Sequence, residues 1–296
     1  MANFLKNLFS KKRSKEIRRL QSTANGDDSQ TRSAADQLRK TRYKLASCQS
    51  TGRERAHNED TIFTLNAILE GLDQPNQFGI FLVADGMGGH QSGEVASNLA
   101  SKAVSQTLIN RLYDEFLFEG ESFSDEAVNK LIKSAINEAQ KLISTRVPGG
   151  GTTLTLVLAL GERLFYGHVG DSRLYVIDVE GDLHLLTRDH SLTKRLIDLG
   201  EITEKEARTH PQRNVLYRAL GQADPFEPDI HPFALEGANR FMLCSDGLWG
   251  TITEQEMASI IWRGSNLDAI ACDLVQEANQ AGGPDNISVI LVEKLG

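Results

Sequence analysis

The sequence predicts an α+β fold whose strands pair antiparallel, and three observations carry that expectation. Between residues 152 and 187 four apolar runs are joined by links of two to four residues, whereas a parallel pair needs a crossover of a dozen or more. Two long segments, Ser92 to Phe118 and Asp125 to Ser144, repeat their apolar residues at helical rather than alternating spacing. Several apolar runs stop at an aspartate beside a small residue, as a strand does where it leaves the core through a tight turn. The first observation excludes a doubly wound parallel sheet.

Taken in order, residues 1–42 read as a basic tail on an acidic body. Residues 1–45 hold 12 Lys and Arg against 4 Asp and Glu, in a chain of net charge −8. Phe4, Leu5, Leu8 and Phe9 share a helical face beside Lys6, Lys11, Lys12 and Arg13. That composition suits a short helix lying on anionic lipid through residues 4–19, and a solvated basic tail is the plainer alternative. Residues 21–36 are polar and read as a linker.

A compact domain over 43–296 follows. Gly79 to Ala84 is apolar, short and closed by a glycine turn, the pattern of a buried strand ending at Asp85, with a buried helical piece as the alternative that periodicity alone leaves open. The first helix is expected to bury Val95, Leu99, Ala103, Leu108, Leu112 and Phe116, and the second Val128, Leu131, Ile132, Ala135, Ile136, Ala139 and Leu142. The meander runs Thr152–Leu160, Leu164–Val169, Leu174–Val179 and Leu183–Thr187. Residues 191–220 switch to short helical pieces, one opened by a capping box from Thr203 to Glu206. After RFMLCSD, helices start near Thr253 and Asn266, and Ile287 to Val292 forms the last strand.

Composition bounds the function. A chain of 296 residues, 40% hydrophobic, supports one catalytic-sized domain. Its three cysteines include no CxxC pair, which excludes a disulfide framework or thiolate zinc and points to a reducing, cytoplasmic setting. No apolar run reaches the ~18–20 residues of a membrane span, and the acidic body repels nucleic-acid phosphates. A cysteine phosphatase would need Arg where Glu54 stands relative to Cys48, and GGGTT lacks the lysine of a Walker loop.

What remains is a recurrence of acids at strand boundaries: Asp60, Asp85, Asp171, Asp246 and Asp285. If the sheets bring them together, like charges about 4 Å apart repel by about 4 kcal/mol at an effective dielectric near 20. Such a cluster protonates, splays or takes up cations. Oxygen donors without Cys select hard ions such as Mg²⁺ or Mn²⁺. Arg55, beside Glu59 and Asp60 in GRERAHNED, brings a planar guanidinium suited to two phosphate oxygens.

In order along the chain, RERAHNED, FLVADGMGGHQSGE, GGGTTLTLV, GHVGDSRLYV, LTRDHSL, HPQRNVLYRALG, LCSDGLW and GGPDNISVILV resemble the motif series of the type-2C metal-dependent serine/threonine protein phosphatases, bacterial branch, over about Tyr43 to Glu293. The resemblance implies a β-sandwich of two antiparallel sheets flanked by helices in four αββα layers, with a metal cleft at one end. It implies two Mg²⁺ or Mn²⁺ ions bridged by Asp85, with the Gly86 carbonyl in one shell, Asp246 and Asp285 on the first ion, and Glu59 and Asp60 towards the other. Asp171, with Asp246, resembles the holder of a third, weaker ion. Arg55 resembles the phosphate clamp, and residues 189–220 the flap beside the cleft. The implied reaction is hydrolysis of phosphoserine or phosphothreonine by direct attack of a metal-bridging water. The implied substrates are phosphorylated proteins, among them a Ser/Thr kinase or its targets, acted on by a monomer. Animal members place a histidine after the Asp-Gly where Met87 stands here, leaving His90 or water on the third ion to protonate the leaving group, with a structural role for His90 as the alternative. The rival reading, a catalytically silent phosphoprotein- or kinase-binding scaffold, gives no physical reason to keep the whole set of acids.

Overall fold

The computed structural model describes residues 42–69, 76–88, 92–118, 124–222, 226–264 and 266–295. Residues 1–41 of the expected basic tail, with the segment 4–19 expected to contact a membrane, and also His90, lie outside them. Its strands are β1 (Arg42–Ser50), β2 (Asp60–Leu69), β3 (Asn76–Met87), β4 (Gly151–Thr152), β5 (Leu154–Leu160), β6 (Arg163–Val169), β7 (Arg173–Asp178), β8 (Leu183–Leu185), β9 (Asp229–Phe233), β10 (Ala238–Cys244) and β11 (Ile287–Leu295). They form two sheets, ordered β1-β11-β10-β7-β8 and β2-β3-β5-β6-β9, with β4 beside β3. Every strand pair is antiparallel, as the short links require.

Helices α1 (Ser92–Phe118) and α2 (Asp125–Arg146) cover the second sheet, and α5 (Asp246–Trp249), α6 (Glu254–Arg263) and α7 (Leu267–Gln280) the first; α3 (Leu192–Asp198) and α4 (Glu204–Arg208) lie in the expected flap. The side-chain period of two builds the four layers. From β3, Phe81 and Val83 pack between the sheets with Val157, Leu174, Phe241, Leu243, Ile290 and Val292. The alternate residues Ile80, Leu82 and Ala84 face α1 and α2. Across the molecule Met242, Cys244, Val289 and Leu291 face α6 and α7. Central strands buried on both faces read as continuous apolar runs, which is why β3, β5, β10 and β11 are visible in sequence.

Capping chemistry fixes the helix starts. Thr203 and Thr253 each accept from the backbone N–H three residues on, while Glu206 and Glu256 accept from the backbone N–H of these cap residues in turn. Asn266 caps α7 through its side chain. The α2 face matches the expected residues, except that Ile143 is fully buried where Leu142 is partly so.

The α1 face needs correction. Val95 is 45% exposed, and the buried stripe runs Ala96, Ala100, Val104, Leu108 and Leu112. Small residues in the first turns let α1 approach β2 and β3 closely, so bulk does not mark the buried side there. Phe116 lies where side chains are not described. Strand β9, which holds Pro232, was not anticipated; it is an edge strand, where a missing N–H costs no ladder bond.

Candidate metal centre

All five acids sit at one end of the sandwich because antiparallel pairing brings that end of each strand to the same rim. Asp60 opens β2 and stands opposite Asp85 in the β2–β3 register. Asp246 opens α5 two residues after β10 ends, and Asp285 lies two residues before β11 starts. Asp171 occupies the β6–β7 turn behind Gly170, whose φ of 107° favours glycine.

Charges at this spacing without counter-ions raise one another's pKa. Burial pushes Asp85 well above its ordinary value, and Asp60, Asp246, Asp171 and Asp285 add to it. Asp60 is pushed up to about 7, chiefly by burial, against two serine hydrogen bonds that favour its charged form. Asp246 rises to about 6, again mostly by burial with Asp285 adding, and a hydrogen bond from Asp85 opposes the rise. Asp171 is raised by burial and then by Asp246 and Asp189, while Arg173 pulls it down. Glu59, half-buried at the rim, is raised by burial while Arg55 opposes. Because each of these carboxylates raises or feels another's charge, Asp60, Asp85, Asp171, Asp246 and Asp285 share one electrostatic environment.

Polar side chains that the sequence does not single out hold the carboxylates in place. Ser245 Oγ and Ser288 Oγ both donate to Asp60 Oδ2, at 2.8 and 2.6 Å. Asn286 holds the loop before β2: its Oδ1 accepts from Glu59 N–H at 2.8 Å, and its Nδ2 donates to the Thr51 and His57 carbonyls. Thr153 Oγ1 accepts from Asp85 N–H, and Thr153 N–H donates to the Asp85 carbonyl. Under Asp171, Arg173 stacks 3.6 Å over the Trp249 ring and grips Asp189 with two N–H groups at 3.0 and 2.7 Å, while Trp249 Nε1 donates to the Asp171 carbonyl. In sequence these residues are visible only as polar neighbours of the acids, as in CSDG and PDNIS.

Arg55 reaches the mouth and donates to Asp285 Oδ2 at 2.7 Å, with its side chain 48% exposed. Gly86 donates to the Glu59 carbonyl, and a Cβ there would stand 2.3 Å from the Gly93 carbonyl oxygen and 2.6 Å from that of Glu59, so only glycine fits this approach. Met87 occupies its expected place, half-buried.

The donor set fits hard divalent cations. Asp60 Oδ1 and Asp246 Oδ1 are buried without a hydrogen-bond partner, and an orphaned carboxylate oxygen is costly unless something positive meets it. Among the described residues no three His, Cys, Asp or Glu already stand at ligand spacing. Asp285 is turned to Arg55, and Asp85 faces Asp246, whose pKa it lowers. Cations would compete with that arginine for the same oxygens.

Fold and site together define a metal-dependent phosphohydrolase built on an αββα sandwich. The sequence profile described as Protein phosphatase 2C matches residues 53–267. A serine/threonine phosphatase stp of Listeria welshimeri is 35% identical over 250 residues, covering 82% of this chain and 92% of that protein. Among solved structures, the serine/threonine phosphatase PstP/Ppp of Mycobacterium tuberculosis is 30% identical with a TM-score of 0.70, over 86% of this chain and 99% of the other. A PstP catalytic domain in complex with 2 manganese ions is 29% identical, with a TM-score of 0.68, over 86% of this chain and 99% of that one. The chain belongs to the protein phosphatase 2C family.

Proposed function

We propose that Glu59, Asp60, Asp85, Gly86, Asp246 and Asp285 hold two Mg²⁺ or Mn²⁺ ions, and that phosphoserine and phosphothreonine esters are hydrolysed against them. The chain is a metal-dependent serine/threonine protein phosphatase acting on phosphoproteins, and the division of labour among its residues is what is proposed. The observation that carries it is the convergence of buried acids from both sheets with two orphaned oxygens. Asp85 would serve both ions with the Gly86 carbonyl, Asp246 and Asp285 the first, Glu59 and Asp60 the second, and Asp171 with Asp246 a third, weaker ion. Bound divalent ions lower the pKa of water towards neutrality and neutralise phosphoryl oxygens.

The chain's own groups do the positioning. Serines 245 and 288 hold Asp60 in one orientation. Arg55, half-exposed at the mouth, offers parallel N–H groups to two phosphoryl oxygens once it leaves Asp285. Water attacks directly in this reading, so no side-chain nucleophile is needed; Cys244 is buried in the core, and the other cysteines lie on β1 and α7. Met87 has no proton to give, which leaves His90, or solvent beside Asp171, for the leaving oxygen.

The flap over 189–220 is rooted beside the cleft, where Leu220 exchanges backbone hydrogen bonds with Thr152 and Tyr217 N–H donates to the His190 carbonyl. That position suits selection among phosphoproteins. The finer readings belong to the same proposal: a Ser/Thr kinase or its targets as substrates, a monomeric enzyme in the cytoplasm, and a membrane contact through residues 4–19. No helix of the described residues is long and apolar enough to cross a membrane.

The test is Mn²⁺-dependent hydrolysis of p-nitrophenyl phosphate and of a phosphothreonine peptide by the full chain. Activity abolished by chelator and by Asp246→Asn is the expected result. Saturable Mn²⁺ uptake without turnover would replace the enzyme with a scaffold.

A further inference from the structure

Two of the three cysteines lie on the seam between β1 and α7, and neither is among the candidate metal ligands. Cys48 lies on β1 and packs on the cluster that α7 covers, Cys272 lies on α7, and the Cys272 thiol stands near enough to raise the pKa of Cys48. The fold explains the meeting independently. Cys48 shares its strand face with Ala46, two residues away, which packs in the same cluster as Ala271 and Val275 of α7. Cys272 adjoins Ala271 and lies one turn before Val275, at the rim of the face that α7 lays on β1. Further along the same seam, Ser50 Oγ donates to Asn279 Oδ1 at 3.3 Å. The two elements therefore run side by side, with the cysteines at one rung and Ser50 and Asn279 at the next.

Access differs between the partners. Cys272 is exposed and Cys48 half-buried, while Cys244 is fully buried in the same cluster, on the far side of Val289 from Cys48. Burial, and then the neighbouring thiol, push Cys48 up to about 12, so it is a poor first nucleophile. An oxidant arriving from solvent meets Cys272.

We propose that Cys48 and Cys272 are an oxidisable thiol pair, which a hydroperoxide converts to an intramolecular disulfide that staples β1 to α7. In the first step the Cys272 thiolate attacks one peroxide oxygen, the O–O bond breaks, and Cys272 becomes a sulfenic acid as hydroxide departs. In the second, Cys48 sulfur attacks the Cys272 sulfur; the S–S bond forms, the S–O bond breaks, and the Cys48 proton leaves with the hydroxide as water. Two electrons pass from the pair to the peroxide. The resolving thiol keeps Cys272 from climbing to the irreversible sulfinic acid.

The staple acts on two arms that both end at the metal centre. Beyond β1 the chain reaches Arg55, and beyond α7 it reaches Asp285. Arg53 N–H donates to the Gly283 carbonyl at 2.7 Å, and Arg55 pairs with Asp285 at 2.7 Å. A covalent rung therefore reinforces a ladder already closed by hydrogen bonds, without touching an acid.

The experiment treats the reduced full chain with hydrogen peroxide, quenches with N-ethylmaleimide, and maps peptides by mass spectrometry. A Cys48–Cys272 cross-linked peptide, about 2 Da lighter than the two thiol peptides, is expected, with alkylatable thiols in the unfolded chain falling from three to one. In Cys48→Ser the Cys272 peptide should instead gain about 32 Da as sulfinic acid, and disulfide formation in the native chain should quicken as pH rises. The proposal is overturned if the wild-type chain gives sulfinic acid at Cys272 with Cys48 still alkylatable, or only disulfides between molecules. The wild-type map decides the matter even if the variant fails to fold.

Discussion

Asp60 accepts two serine hydroxyls on one oxygen and nothing on the other, which makes it a group built for an absent positive charge. Ser288→Ala should remove one of those bonds and let the carboxylate turn. A hydrogen bond to a charged group contributes about 1.5–3 kcal/mol, so Mn²⁺ affinity measured by calorimetry should fall on the order of tenfold; unchanged affinity would show that the serine does not orient a ligand. Arg55 is a different case, because its partner in this structure is another candidate ligand, Asp285. Arg55→Ala should lower kcat/KM for p-nitrophenyl phosphate about tenfold or more, equivalent to ~1.4 kcal/mol or more, while the Mn²⁺ stoichiometry stays the same. Loss of metal binding instead would make the arginine a structural counter-ion rather than a phosphate clamp.

Single elements show where close approach sets the sequence. Gly247, in the first turn of α5, would place a Cβ 2.1 Å from the Asn286 carbonyl oxygen. Gly247→Ala must therefore push apart the two loops that carry Asp246 and Asp285. A loss of about 2 kcal/mol or more in urea unfolding is expected, and a cost near zero would show that the loops yield freely. Helix α1 supplies the opposite case. Val95→Lys should leave unfolding within about 0.5 kcal/mol, since Val95 is exposed, whereas Ala100→Lys buries a charge and should destabilise strongly. Val95 falls outside the buried face because α1 packs there through alanines and serines. Residues Thr253, Glu256 and Asn266 gave their helix starts directly, since a cap is a local device of a few residues. Strand β9 gave no such signal: DIHPF is short, half-exposed and interrupted by Pro232, so neither alternation nor a continuous apolar run marks it.

At the scale of the whole molecule, the acids that end the strands were legible because each stands at a boundary between apolar run and turn. Their supports Ser245, Ser288, Asn286 and Thr153 were not, because their role exists only where chain segments far apart in sequence meet. The cluster also sets how the metal-free chain responds to pH. Asp60 titrates near 7 when folded, against an ordinary value near 4 when unfolded, so the folded state binds more protons between those values. Its contribution to stability is therefore complete below pH 4 and is lost as pH rises through 7. Asp85 and Asp171, also raised, act in the same direction. In chelator, the unfolding temperature should be lower at pH 8 than at pH 5, and Mn²⁺ should restore most of the difference at pH 8. A metal-free chain more stable at pH 8 would contradict the crowding of these acids.

The most direct test of the central claim is a calorimetric titration of Mn²⁺ into the metal-stripped chain near neutral pH, with Asp246→Asn beside it. At least two ions per chain are predicted for the wild type, with at least one lost in the variant. No saturable uptake, or the same stoichiometry and affinity in both, would contradict a metal centre at these aspartates.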